Sequence, residues 1–110
     1  MLARVSALPA HAALETYAVL TRLPAGMAVP AALAATVLGE RFGGQLLELG
    51  RSQRQRALQV LAAAGVRGGA TYDGLVALEA AAHDRTLCTL DKRAVMTYER
   101  LGIPFRLLAG

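Results

Sequence analysis

Short apolar segments alternate with helix-length segments along this chain, and a proline or glycine marks most of the changes. That alternation constrains the fold more than any single residue. Strands joined through helices return to the same edge of a sheet and lie parallel. "LARVSAL" (2–8) reads as a strand ended by Pro9, a residue suited to the first turn of a helix. Residues 10–23 carry Leu14, Tyr17, Ala18 and Thr21 at helical spacing. "PAGMAVP" (24–30) breaks that helix, and a second follows over 31–42, closed by Gly43-Gly44. Residues 45–49 read as a brief strand. Residues 52–66 read as a helix with Ser52 as N-cap and Gly65 as its stop. An apolar helix over 71–84 follows Gly68-Gly69, then a buried strand over 85–90, a helix over 92–102 and a last strand over 105–108. The expected architecture is one α/β domain, residues 1–110, with a mainly parallel sheet.

The chain has 110 residues and a hydrophobic fraction of 55%, enough to bury a core without staples. Arg, Glu or Gly interrupts every apolar run before the roughly 18 residues that a bilayer span needs. The opening "MLARVSALPAH" is too short and weakly organised for a secretory signal, so a cytoplasmic chain is expected. The single cysteine, Cys88, excludes an internal disulfide and a zinc cluster. Twelve basic residues, eleven of them Arg, against eight acidic ones give a net charge of +4. A basic balance suits a polyanion such as nucleic acid. The densest basic group is "RSQRQR", with Arg51, Arg54 and Arg56; its plain alternative is a solvated helix face.

Two aspartates stand at the ends of apolar elements. Asp73 opens the helix over 71–84, and Asp91 ends the strand over 85–90. In a parallel sheet, ligand sites form beyond the carboxyl ends of the strands, so both aspartates could face one edge. Two close carboxylates repel unless a cation sits between them, and hard oxygen ligands favour Mg²⁺ or Mn²⁺. The plain alternative for each is helix capping. Glu15 lies one to two turns into the first helix, near the end of the strand over 2–8; its alternative is an exposed pair with His11 or Arg22. Cys88 is expected in the core and His83 on the surface. "GVRGGA" lacks the Lys-Ser/Thr of a phosphate-binding loop.

Three segments, "HAALETYAVLTRLP" (11–24), "TYDGLVALEAAAH" (71–83) and "TLCTLDKRAVMTYERLGI" (86–103), resemble the PIN-domain ribonucleases, and closely the VapC-type toxins of toxin–antitoxin pairs. The likeness runs from about residue 2 to 108. It implies a PIN-like three-layer α/β sandwich and metal-dependent endonucleolytic cleavage of RNA, with Mg²⁺ or Mn²⁺ held by acidic residues. By motif, those residues are Glu15, Asp73 and Asp91, acting as catalytic residues and metal ligands. The resemblance also implies an RNA substrate, a cognate antitoxin and a homodimer. Thr89, on the approach to Asp91, could hold a carboxylate or a water; Lys92 and Arg93 could contact phosphate.

The family opens with a strand bearing an aspartate, whereas this chain has none before Asp73. Its first strand resembles the family's second. The expectation is an N-terminally truncated PIN domain with weak or no nuclease activity on its own. A rival reading is a catalytically degenerate PIN remnant that keeps an antitoxin-binding or dimer surface.

Overall fold

The computed structural model describes residues 7–108. Its elements run β1 (Leu8–Pro9), α1 (Ala10–Thr21), α2 (Ala31–Phe42), β2 (Leu46–Leu47), α3 (Arg51–Ala63), α4 (Ala70–Ala81), β3 (Leu87–Thr89), α5 (Lys92–Leu101) and β4 (Phe105–Leu107). The chain is α/β, and it divides into two compact units, Met1–Leu46 and Leu47–Gly110. Most of the strand expected over 2–8 lies outside the described residues; Leu8 and Pro9 are extended.

In the first unit, α1 starts directly behind Pro9, and α2 behind Pro30. Each proline presets an extended backbone ahead of a helix, at φ −56° and −55°. The Leu8 N–H donates to the Gln45 carbonyl at 3.1 Å, which ties β1 to the approach of β2. Gly26, at φ +84°, supplies the left-handed step in the α1–α2 turn. Ala34 and Phe42 of α2 are buried, while α1 buries no residue. The Arg41 guanidinium lies 4.9 Å from the centre of the Phe42 ring, a cation–π distance.

The second unit holds the larger core. Leu61 of α3, Val76, Ala77 and Ala80 of α4, Leu87 of β3, and Ala94 and Tyr98 of α5 are all buried. Strands β3 and β4 pair in parallel, with Leu87 opposite Phe105 and Thr89 opposite Leu107. Helix α5 is the crossover between them, as a parallel pair requires. The Tyr98 and Phe105 rings pack at 5.7 Å with a 50° tilt, which seats α5 on β4. Close approach of α3 to α4 depends on Gly74. A Cβ there would meet Leu61 Cδ2 at 2.5 Å and Val66 Cγ1 at 3.2 Å.

Three helices of this unit end in the same way. After α3, the Gly65 N–H donates to the Ala62 carbonyl and the Val66 N–H to the Leu61 carbonyl. After α5, the Gly102 N–H donates to Glu99 and the Ile103 N–H to Tyr98. After α4, Asp84 and Arg85 donate to Ala81 and Ala80. Each is a Schellman closure around one left-handed residue. Gly65 and Gly102 take that conformation at φ +74° and +67°, but Asp84 takes it at φ +53° without glycine's freedom.

Several boundaries differ from the sequence reading. Helix α3 begins at Arg51, with Gly50 rather than Ser52 at the N-cap. The Gln53 Oε1 accepts the Gly50 N–H at 2.8 Å, so a side chain inside the helix satisfies the residue before it. Helix α4 stops at Ala81, because Asp84 turns the chain before residue 84 can be helical. The strand expected over 85–90 shortens to three residues, and Cys88 is exposed rather than in the core. The cause is the period of two along a strand. Leu87 is buried, and Cys88 points the other way.

Candidate active site

Asp91 sits between β3 and α5 as the N-cap of α5, in an extended conformation at φ −90° and ψ 104°. Its Oδ1 accepts the Arg93 N–H at 2.9 Å, satisfying one of the orphan donors of the first turn. The Arg93 Nε stands 3.9 Å from the same oxygen, a loose pair for an Arg side chain that is 97% exposed. The Asp91 Oδ2 has no protein partner among the described residues. The Thr89 Oγ1 accepts the Asp91 N–H at 3.0 Å. Thr89 therefore fixes the backbone of Asp91 and leaves the carboxylate to the cap. Lys92 and Arg93 are both exposed beside it.

Asp73 lies in the first turn of α4, half-buried. Gly68, at φ +61°, turns the chain just before, and the Thr71 N–H donates to its carbonyl at 3.0 Å. Residues 82–86 then reverse the chain from α4 into β3, and α4 packs against both β3 and α5. Asp73 lies in the first turn of α4, and Asp91 follows β3 as the N-cap of α5.

Glu15 belongs to the first unit. It lies in α1 with a side chain 51% exposed, and its Oε1 is 3.5 Å from the His11 Nε2 one turn earlier. This is the local pair with His11 that the sequence offered as the plain alternative. His83 is exposed, as expected, and its Nε2 bonds the Glu48 carbonyl at 2.8 Å, tying the end of α4 to the approach of α3.

Sequence reasoning missed Glu79. It is 1% exposed, in the middle of α4, and it is engaged by neighbours. The signal was present: Glu79 stands three residues after buried Val76, on the core-facing stripe of the helix. An open cleft of about 260 Å³ also lies between α3 and α4, lined by Leu49, Arg56, Val60, Leu78 and Ala82 among others.

The donor chemistry at Asp73 and Asp91 fits a hard divalent cation, which takes carboxylate oxygens. Among the described residues, no group of three or more His, Cys, Asp or Glu is gathered closely enough to hold a metal ion. No described helix is long and apolar enough to cross a membrane.

Comparison with known proteins gives close relatives. The chain is 47% identical over 100 residues to ribonuclease VapC27 of Mycobacterium tuberculosis (strain ATCC 25618 / H37Rv), covering 91% of this chain and 72% of that protein. It is 42% identical over 99 residues to ribonuclease VapC40 of Mycobacterium tuberculosis (strain CDC 1551 / Oshkosh), covering 90% of this chain and 74% of the relative. No protein-family model matches the chain. No solved structure matches it at a significant level.

Proposed function

The chain belongs to the VapC ribonuclease family, and on that premise we propose that it is a cytoplasmic endoribonuclease that hydrolyses RNA phosphodiester bonds with the help of Mg²⁺ or Mn²⁺. The observation that carries this reading is the 47% identity to a ribonuclease over 91% of the chain. Asp73, Asp91 and Glu15 are the proposed catalytic acids and metal ligands. A divalent cation bound by them would supply positive charge at the scissile phosphate and acidity to a water.

The chain's own residues do the positioning. Asp91 is held at its backbone and at its side chain: its N–H by the Thr89 Oγ1, and its carboxylate by the Arg93 N–H. One carboxylate oxygen, Oδ2, remains for the site. Lys92 and Arg93 offer exposed positive charge beside it for the substrate's phosphates. A cognate antitoxin and a second copy of the chain are the proposed protein partners.

The test is cleavage of a synthetic oligoribonucleotide with Mg²⁺, with Mn²⁺ and with chelator, for the wild type, Asp91→Asn, Asp73→Asn and Glu15→Gln. Metal-dependent cleavage lost in the variants supports the assignment. Equal cleavage by wild type and Asp91→Asn overturns it. The alternative reading is a non-catalytic module that binds antitoxin or a second copy. Calorimetric titration with Mn²⁺ separates the two, because the module would show no binding that depends on these acids.

A further inference from the structure

The geometry points to the exposed face of α3 as a surface that binds the RNA backbone, with Arg51, Arg54 and Arg56 as its phosphate-contacting residues; this rests on the reading of RNA as substrate. Helix α3 carries three arginines and no acidic residue over its whole length, Arg51–Ala63. All three are exposed, and none forms an ion pair among the described residues. A merely solvated helix gains from mixing signs at i, i+4 spacing, and α3 forgoes that gain.

Position strengthens the case. Arg51 is the first residue of α3 and Arg54 the fourth, and the first turn holds no acid. The start of a helix carries partial positive charge, so cations there oppose helix stability. The N-cap is Gly50, which offers no side-chain oxygen to the first-turn N–H groups. Two like-signed features therefore meet at one place, the helix start and its arginines. Both are relieved by an anion.

Helical spacing puts Arg51 and Arg54 one turn apart on one side of the exposed surface of α3, with exposed Leu58 between them, and Arg56 about 140° round from Arg51, with Gln55, Gln59 and Ser52 in the interval. Arg56 also lines the cleft between α3 and α4. Arginines a turn apart suit successive phosphates, and the amide and hydroxyl groups can bond sugar and phosphate oxygens. The contacts expected are to the backbone, so binding should depend on salt rather than on sequence.

The experiment is fluorescence anisotropy with a labelled single-stranded oligoribonucleotide of mixed sequence, in chelator so that nothing is cleaved, at about 50 mM to about 200 mM salt. The triple variant R51Q/R54Q/R56Q is set against R22Q/R67Q/R106Q, which removes the same charge from exposed residues elsewhere. Circular dichroism checks that both are folded. The α3 variant is expected to lower the salt slope by about 2, at about 0.7 per lost phosphate contact, and to weaken binding well beyond the control. Equal weakening in both variants would reduce the effect to net charge and overturn the proposal. So would an absence of RNA binding by the wild type, or α3-dependent binding of polyglutamate without binding of RNA. Cleavage is scored separately. Arginine-dependent binding without cleavage leaves this surface standing and removes the nuclease reading. Cleavage that is indifferent to the α3 variant does the reverse.

Discussion

Thr89 and Asp91 are joined through the Thr89 Oγ1, which accepts the Asp91 N–H at 3.0 Å. This hydroxyl sits on the last residue of β3, and the aspartate caps the helix that follows. The carboxylate's structural duty and its proposed chemical duty can therefore be separated. Asn caps a helix about as well as Asp, whereas Ala forfeits about 1 kcal/mol. Asp91→Asn is expected to keep the wild-type urea midpoint, and Asp91→Ala to lower it. Both are expected to lose RNA cleavage. If Asp91→Asn cleaves RNA as the wild type does, Asp91 is only a cap.

Removing the hydroxyl tests the other half of that arrangement. Thr89→Val keeps the shape of the strand residue and strips the acceptor from the Asp91 N–H. The expected cost is about 1 kcal/mol, the usual net value of such a bond. Cleavage should fall with the looser placement of Asp91, by less than in Asp91→Asn. An unchanged urea midpoint would show that water replaces the hydroxyl without penalty.

Asp84 occupies the left-handed position after α4 that Gly65 and Gly102 occupy after α3 and α5. A side chain costs about 1–2 kcal/mol there, less for Asp than for most residues. Asp84→Gly is expected to raise thermal stability by about 0.5–1 kcal/mol, after the added freedom of the unfolded chain is subtracted. Gly65→Ala and Gly102→Ala are expected to lower it by about 1 kcal/mol each. Differential scanning calorimetry reads all three. A loss of stability in Asp84→Gly would mean that its carboxylate makes up for the strain.

These closures also show what the sequence makes legible. Gly65 and Gly102 follow helix-periodic runs, and Pro9 and Pro30 precede them, so four of the five helices could be bounded closely. The end of α4 could not, because no glycine marks it and an aspartate does the turning. Strands were legible as apolar segments but not in length, since pairing rather than composition ends them. Cys88 was misplaced because "RTLCTL" reads as a buried strand, whereas only one face of β3 is covered. At the candidate site, the positions of Asp73 and Asp91 at helix starts were legible from Gly68-Gly69 and from the strand before Asp91. The Thr89–Asp91 bond was not, because a hydroxyl two residues away can meet a carboxylate, a water or a backbone N–H equally well in sequence.

The contact between Gly74 and Leu61 makes a sharp packing test. A methyl at Gly74 would stand 2.5 Å from Leu61 Cδ2. Overpacking costs about 1–3 kcal/mol, partly offset by about 1 kcal/mol of improved helix propensity. Gly74→Ala is therefore expected to be destabilising by up to about 2 kcal/mol. Leu61→Ala alone should cost about 2–5 kcal/mol through the cavity it leaves. The double variant should be more stable than the sum predicts, since the new methyl fills part of that cavity. Strict additivity in urea unfolding would show that α3 and α4 do not touch at this point.

Glu79 offers the last test, because burial and chemistry predict opposite outcomes. A carboxylate that is 1% exposed cannot touch an RNA phosphate without the helix opening. It is buried in the core and not without a partner there. Truncation to Ala removes side-chain volume and strips its neighbours of a partner, two costs that together should exceed about 2 kcal/mol. Glu79→Gln keeps the volume and part of the hydrogen bonding, so its loss should be smaller. For both variants, RNA cleavage per folded molecule should match the wild type at a temperature well below unfolding. A Glu79→Gln protein that keeps its urea midpoint but loses cleavage would show instead that this glutamate belongs to the catalytic set, with Asp73 six residues before it on the same helix.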